Sequence, residues 1–100
     1  MQKGGTVYIL SSPNKTTLYT GVTSDLIKRV WEHRSKQLPG SFSAKYNCVE
    51  LVYYRAFDSI EEAIAEEKRI KAGSRKAKER LINSINLDWV DLWHELNSSL

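Results

Sequence analysis

A chain of 100 residues, 41% of them hydrophobic, has enough apolar side chain for one domain with one core and too little for a second. Fifteen Lys and Arg against 12 Asp and Glu leave a formal charge of +3, compatible with a polyanionic partner and also common in proteins that have none. A single cysteine, Cys48, excludes an intramolecular disulfide and a zinc site of several thiolates, and no apolar run approaches the roughly 18 residues that span a bilayer. The expectation is a soluble, cytoplasmic protein without membrane association, in which Cys48 is a small buried hydrophobe.

Thr6 to Leu10 and Thr17 to Val22 are rich in β-branched and aromatic residues, and the segment Ser11-Ser12-Pro13-Asn14-Lys15 between them is turn-forming. They predict a β-hairpin with a longish loop. Thr23 or Ser24 is placed to cap a first helix with Asp25 in its opening turn and Leu26, Ile27, Val30 and Trp31 at helical spacing, running to about Ser35. Lys36 to Asn47, with Pro39, Gly40 and several serines, reads as a loop that orders on binding. Cys48 to Phe57 regains strand character through Val49, Leu51, Val52, Tyr53 and Tyr54.

Ser59 and Glu62 have capping-box spacing, so a second helix starts there and extends to about Ala72. Gly73 ends it, and Ser74 caps a third helix from Arg75 to about Asn83, with Ala77, Leu81 and Ile82 turned inward. The tail from Ile85 to Leu96 carries Leu87, Trp89, Val90, Leu92, Trp93 and Leu96. It is too apolar to stay solvated and is expected to pack on the body as a short helix or wrap. The order β-β-α-β-α-α, with sequential strands, describes an α+β domain with a three-stranded antiparallel sheet flanked by helices.

Polar residues on these elements separate chemistry from scaffold. On the second helix Ile60, Ala63, Ile64 and Ile70 form an apolar stripe, and Glu67 projects from its middle. A carboxylate turned toward a core needs a partner, either a basic residue on a neighbouring element or a metal ion, and both readings stay open. Arg29 and His33 are i,i+4 neighbours flanking the apolar stripe of the first helix, where they are either solvated or turned along the sheet edge. Tyr8 and Tyr19 stand on the two hairpin strands. Phenols, a guanidinium and an imidazole together suit the holding and attack of a phosphodiester.

The ordered set resembles the GIY-YIG nuclease family in its small bacterial single-domain form. The first motif appears as Thr6-Val7-Tyr8 and the second as Tyr19-Thr20-Gly21, followed by Arg29, His33, Phe42-Ser43-Ala44-Lys45-Tyr46-Asn47, Leu51-Val52-Tyr53-Tyr54, Ala63 to Lys71, and Leu81-Ile82 to Trp89. Departures are the missing Gly and Ile of the first motif, Thr20 in place of Ile in the second, and Asn86-Leu87 where related small proteins tend to carry Asn-Pro. The resemblance implies a DNA endonuclease of low sequence specificity, acting in DNA repair or processing with one Mg²⁺ or Mn²⁺. Glu67 would be the metal ligand, Arg29 would hold the scissile phosphate, and Tyr8, Tyr19 and His33 would line the site, with one tyrosine as general base once a nearby cation lowers its pKa. The glycine at 21 would permit close backbone approach.

A run of Lys68, Arg69, Lys71, Arg75, Lys76, Lys78 and Arg80, opposed only by Glu79, is either a solvated helix face or a phosphate track. Lys28, Arg34, Lys36 and Lys45 are candidates for its other side, and Tyr46 for stacking on an unpaired base. DNA, possibly branched or single-stranded, is the expected partner, with a further protein supplying targeting. A non-catalytic nucleic-acid-binding module and a protein-interaction domain using the Trp89, Leu92, Trp93 and Leu96 tail are the competing classes.

Overall fold

A computed structural model describes residues 4–35 and 40–98 of the chain. Three strands, β1 (Gly5–Ser11), β2 (Leu18–Thr23) and β3 (Glu50–Phe57), form one antiparallel sheet in the order β2-β1-β3. Among the described residues five helices accompany it: α1 (Leu26–Arg34), α2 (Phe42–Lys45), α3 (Ile60–Ala72), α4 (Arg75–Ile85) and α5 (Trp93–Ser98). The expected α+β architecture is the observed one.

Period-two alternation gives the central strand two apolar faces. Val7 and Ile9 turn toward α3 and α4, forming a core with Val52, Tyr53, Ala63, Ile70 and Ile82. Tyr8 and Leu10 turn the other way and join Val30 of α1, Cys48, Leu51, Leu92 and Trp93. Cys48 is fully buried, as expected, and burial raises its thiol pKa. Gly5 permits the close approach of α3 to β1, since a Cβ there would lie 2.6 Å from Ile60 Cδ1 and 2.8 Å from Ala63 Cβ.

Caps explain where the helices begin. Asp25, expected inside the first turn, is itself the N-cap of α1: its carboxylate accepts from Lys28 N at 3.2 Å, while the Thr23 hydroxyl accepts from Asp25 N at 3.0 Å. Ser59 caps α3 by accepting from Glu62 N at 3.2 Å; the Glu62 carboxylate takes the Ser59 hydroxyl proton at 3.0 Å, a shorter reach than the backbone N–H of a full capping box. Ser74 caps α4 through Ala77 N at 3.1 Å, and α4 continues past Asn83 to Ile85.

The segment 36–47 is not all loop. Ser41 accepts from Ala44 N at 3.2 Å and starts the single turn α2, a cap that the surrounding Pro, Gly and Ser composition obscured. Lys36 to Pro39, including the candidate Lys36, lie outside the described residues.

Asn86 and Asp91 tie the segment after α4 to β3 through two polar clamps, beside the apolar contacts of Leu92 and Trp93. The register between β1 and β3 shifts at Ile9/Leu10, leaving Val52 without an opposite residue, as at a β-bulge. Asn86, buried at the end of α4, donates to the Val52 carbonyl at 3.1 Å and to the Val90 carbonyl at 2.8 Å, and accepts from Val90 N at 3.0 Å. Asp91 accepts from Leu51 N and Trp93 N, each at 3.1 Å, and from Arg34 Nη1 at 2.6 Å. Leu92 and Trp93 are buried, whereas Ile85, Leu87 and Val90 stay exposed, so the tail covers less apolar surface than its composition suggests.

Candidate active site

Tyr8 and Tyr19 share a sheet face because Tyr8 of β1 stands opposite Gly21 of β2, two residues along from Tyr19. Gly21 leaves the slot through which the Tyr8 ring passes. A Cβ on residue 21 would collide with the Tyr8 hydroxyl and lie 2.5 Å from its Cζ. The glycine of the second motif is thus required by the tyrosine of the first.

From the facing helix α1, His33 closes the cluster. Its Nε2 lies 3.0 Å from the Tyr8 hydroxyl and its Nδ1 2.6 Å from Ser43 Oγ, with Ser41 Oγ a further 3.1 Å beyond. The Tyr19 ring centroid is 6.3 Å from that of Tyr8 and 5.3 Å from the imidazole. Tyr8, His33 and Ser43 are all buried, while Tyr19 is partly open. The result is a hydroxyl-imidazole-hydroxyl chain with one tyrosine at its wet end. Ser43 is a member that sequence reasoning missed, since nothing local marks which of several serines meets the histidine.

Electrostatics keep this chain neutral at rest. Burial raises the Tyr8 pKa well above the usual phenol value, with Tyr19 and Glu67 adding to the rise and Arg29 opposing it. Burial and the Arg29 guanidinium hold His33 below its ordinary value of 6.5, against a smaller opposing effect of Glu32. At Tyr8 the lowering effect of Arg29 is outweighed by burial, and a histidine held neutral adds nothing to it.

The depressed histidine pKa makes stability pH-dependent. Below about pH 6.5 the unfolded chain binds a proton that the folded chain resists, so the stabilisation is complete above that value and is lost as pH falls through the folded pKa. The melting temperature is expected to decline between about pH 7 and 5.5, above the range of ordinary carboxylates, and to do so less in His33→Gln. Parallel thermal melts of the two proteins would check this, and equal slopes would refute it.

Arg29 and Glu67 stand at the margins of the cluster. The Arg29 side chain is half-exposed, with Nε 3.1 Å from Glu32 Oε1 on its own helix, and it lines a groove of about 280 Å³ with Thr23, Ser24, Asp25 and Lys28. Its charge acts on both Tyr8 and His33. Glu67 lies across the β2 edge on α3, its side chain only 12% exposed, and its partner is Lys71 Nζ at 2.8 Å. That pair is local to the helix and is not the ion pair to a neighbouring element that the sequence leaves as one of two open readings. Glu67 nevertheless bears on Tyr8 electrostatically, so all five candidates fall within one region without all touching.

A second groove, of about 330 Å³, runs along the β2 edge between Leu18, Tyr19, Thr20, Phe42, Lys71 and Lys78. Among the described residues no three His, Cys, Asp or Glu side chains are grouped as a metal cage. A lone carboxylate still suits a hard cation such as Mg²⁺ or Mn²⁺, which takes oxygen donors and retains water. Glu67 meets that requirement once Lys71 is displaced.

The candidate phosphate contacts divide by what they already hold. Arg34 donates to the Val49 carbonyl at 2.9 Å as well as to Asp91, and Arg75 donates to the Thr16 and Lys15 carbonyls at 2.7 Å each, fastening the β1–β2 loop to α4. Both guanidiniums hold the fold together. Lys78 Nζ donates to the Gly73 carbonyl at 2.8 Å, and Lys45 lies 5.4 Å from the Tyr46 ring centroid. Lys28, Lys68 and Lys76 are exposed.

Comparison with known proteins shows the family and the fold. Residues 4–81 match the family model of the GIY-YIG catalytic domain. A UPF0213 protein of Natronomonas pharaonis is 42% identical over 80 residues, covering 76% of this chain and 87% of its own length. One of Staphylococcus saprophyticus is 37% identical over 81 residues, covering 77% and 92%. The solution NMR structure of a UPF0213 protein from Bacillus halodurans superposes with a TM-score of 0.56 at 31% identity, over 88% of this chain and 92% of that one. Among the described residues no helix is long and apolar enough to cross a membrane.

Proposed function

Because the chain belongs to the GIY-YIG family, we propose that it is a DNA endonuclease of low sequence specificity, hydrolysing phosphodiesters with one divalent metal ion in DNA repair or processing. The observation carrying this reading is the Tyr8–His33–Ser43 chain, a buried proton path that ends beside Tyr19 and under the charge of Arg29.

In this reading the Arg29 guanidinium neutralises charge on the non-bridging phosphoryl oxygens. Tyr19 is the tyrosine that meets water, because Tyr8 is closed off from solvent. As the water oxygen bonds to phosphorus, the bond to the ester oxygen breaks and that oxygen takes a proton from solvent, while the attacking water gives its proton to the Tyr19 oxygen. Tyr19 passes its own proton to Tyr8, and Tyr8 passes one to His33 Nε2. Ser43 Oγ then holds the imidazolium through Nδ1–H, and no phenolate need exist at rest. Mg²⁺ or Mn²⁺ held by Glu67 would supply charge neutralisation at the leaving oxygen.

The second reading is a non-catalytic nucleic-acid-binding or protein-interaction module on the same fold. It is favoured by the Glu67–Lys71 ion pair and by the lack of a grouped metal-ligand set among the described residues. Incubation with nicked, branched and single-stranded DNA in Mg²⁺ or Mn²⁺ decides between them. Cleavage is expected, slowed about a hundredfold or more by Arg29→Ala. Binding without metal-dependent cleavage by either protein would leave the non-catalytic reading.

A further inference from the structure

Beyond the candidate active site, the outer face of α2 carries a row of aromatic rings. Tyr19 and Phe42 are stacked at 6.2 Å with 27° between their planes, and Phe42 and Tyr46 follow at 4.6 Å. Phe42 is 49% and Tyr46 43% exposed, an unusual state for two adjacent rings on a single helical turn. The row begins inside the site, because Tyr19 belongs to both.

Two further observations bear on what the row holds. The groove beside Tyr19 and Phe42 is lined by Lys71 and Lys78, and Lys45 stands over the Tyr46 ring, so cations lie at both ends of the aromatic row, within reach of the phosphates that flank a stacked base. Thr20, which lines the same groove from β2, is 5% exposed, and its Oγ1 has no hydrogen-bond partner. A buried hydroxyl without a partner costs stability unless something completes it. The α2 turn is also fixed relative to the proton path, since Ser43, between Phe42 and Ala44, is the residue bonded to His33.

We infer that Phe42 and Tyr46, with Lys45, Lys71 and Lys78, form a stacking site for an unpaired DNA base beside the candidate active site, and that the chain therefore prefers single-stranded or splayed DNA over a closed duplex. Bases inside an intact duplex have their faces covered by neighbours and cannot use such a platform. This deepens the endonuclease reading and rests on it for the position of the scissile phosphate.

The test measures fluorescence anisotropy of labelled single-stranded, flapped and blunt-duplex DNA in EDTA, so that binding is read without chemistry, followed by cleavage of the same DNAs in Mn²⁺. Wild type is expected to bind single-stranded and flapped DNA more tightly than duplex. Phe42→Ala/Tyr46→Ala and Phe42→Leu/Tyr46→Leu should each weaken single-strand binding roughly tenfold and leave duplex binding unchanged. The leucine pair preserves apolar volume and so controls for folding. Equal affinity for single strand and duplex, or undiminished single-strand binding by the leucine pair, overturns the inference. Cleavage of duplex without preference for unpaired strands overturns it while leaving the endonuclease reading intact. Absence of all cleavage, with single-strand binding still dependent on the two rings, supports the platform and removes the endonuclease.

Discussion

Glu67→Gln is expected to lower metal-dependent cleavage about a thousandfold, the several kcal/mol of charge stabilisation a divalent ion supplies, while changing stability by less than about 1 kcal/mol. The asymmetry follows from what the carboxylate touches. Its ion pair is with Lys71 one turn along the same helix, and i,i+4 pairs contribute only about 0.3–0.5 kcal/mol. Glutamine keeps the volume and an acceptor oxygen at this largely buried position, so the packing of α3 on the sheet should survive. What it loses is the charge that would hold a hard cation under the proposed function. Cleavage rates, thermal melts and Mn²⁺ binding by water-proton relaxation would be measured on both proteins. A variant that cleaves like wild type removes Glu67 from the chemistry, and one that melts far lower makes it a structural residue.

Asp91→Ala is expected to destabilise the fold by about 3 kcal/mol and lower the melting temperature by roughly 15 °C. Three donors converge on this carboxylate: Leu51 N, Trp93 N and Arg34 Nη1. Leu51 is fully buried at the start of β3, so its N–H would be left without an acceptor. Arg34, which also lies 5.6 Å from the Trp93 ring centroid, would lose its counter-charge while half-buried. Asp91→Asn retains one carbonyl oxygen for the two backbone donors and should cost about half as much. Urea melts of the three proteins check the order; an Asn variant as unstable as the Ala variant would shift the weight to the ion pair.

Much of this fold is legible because its determinants are local. Ser59 and Ser74 announce their helices, and the β-branched runs around Tyr8 and Tyr19 mark the hairpin. Tyr8, Tyr19, Arg29, His33 and Glu67 could be named because their spacing resembled a known motif series. What stayed hidden depends on partners far along the chain. Asn86 and Asp91 look like ordinary turn residues until β3 arrives beside them, 34 and 40 positions away from Val52 and Leu51. Arg34 and Arg75 read as positive charge, and only coordinates reveal that carbonyl oxygens already occupy them. The rise of the Tyr8 pKa was hidden for a related reason: charge is visible in a sequence, and desolvation at a particular atom is not.

The Asn86 and Asp91 clamps have a bearing on inheritance as well as folding. The match to the family model ends at residue 81, yet Ile82, Leu92 and Trp93 belong to the two cores, and the bulged carbonyl of Val52 is answered from residue 86. The stretch that the family model matches and the stretch that fills the two cores therefore have different ends. A fusion that borrowed only residues 4–81 would carry all five candidate site residues and leave their scaffold unfinished. The segment beyond the motif is a cofactor of folding, supplied in cis.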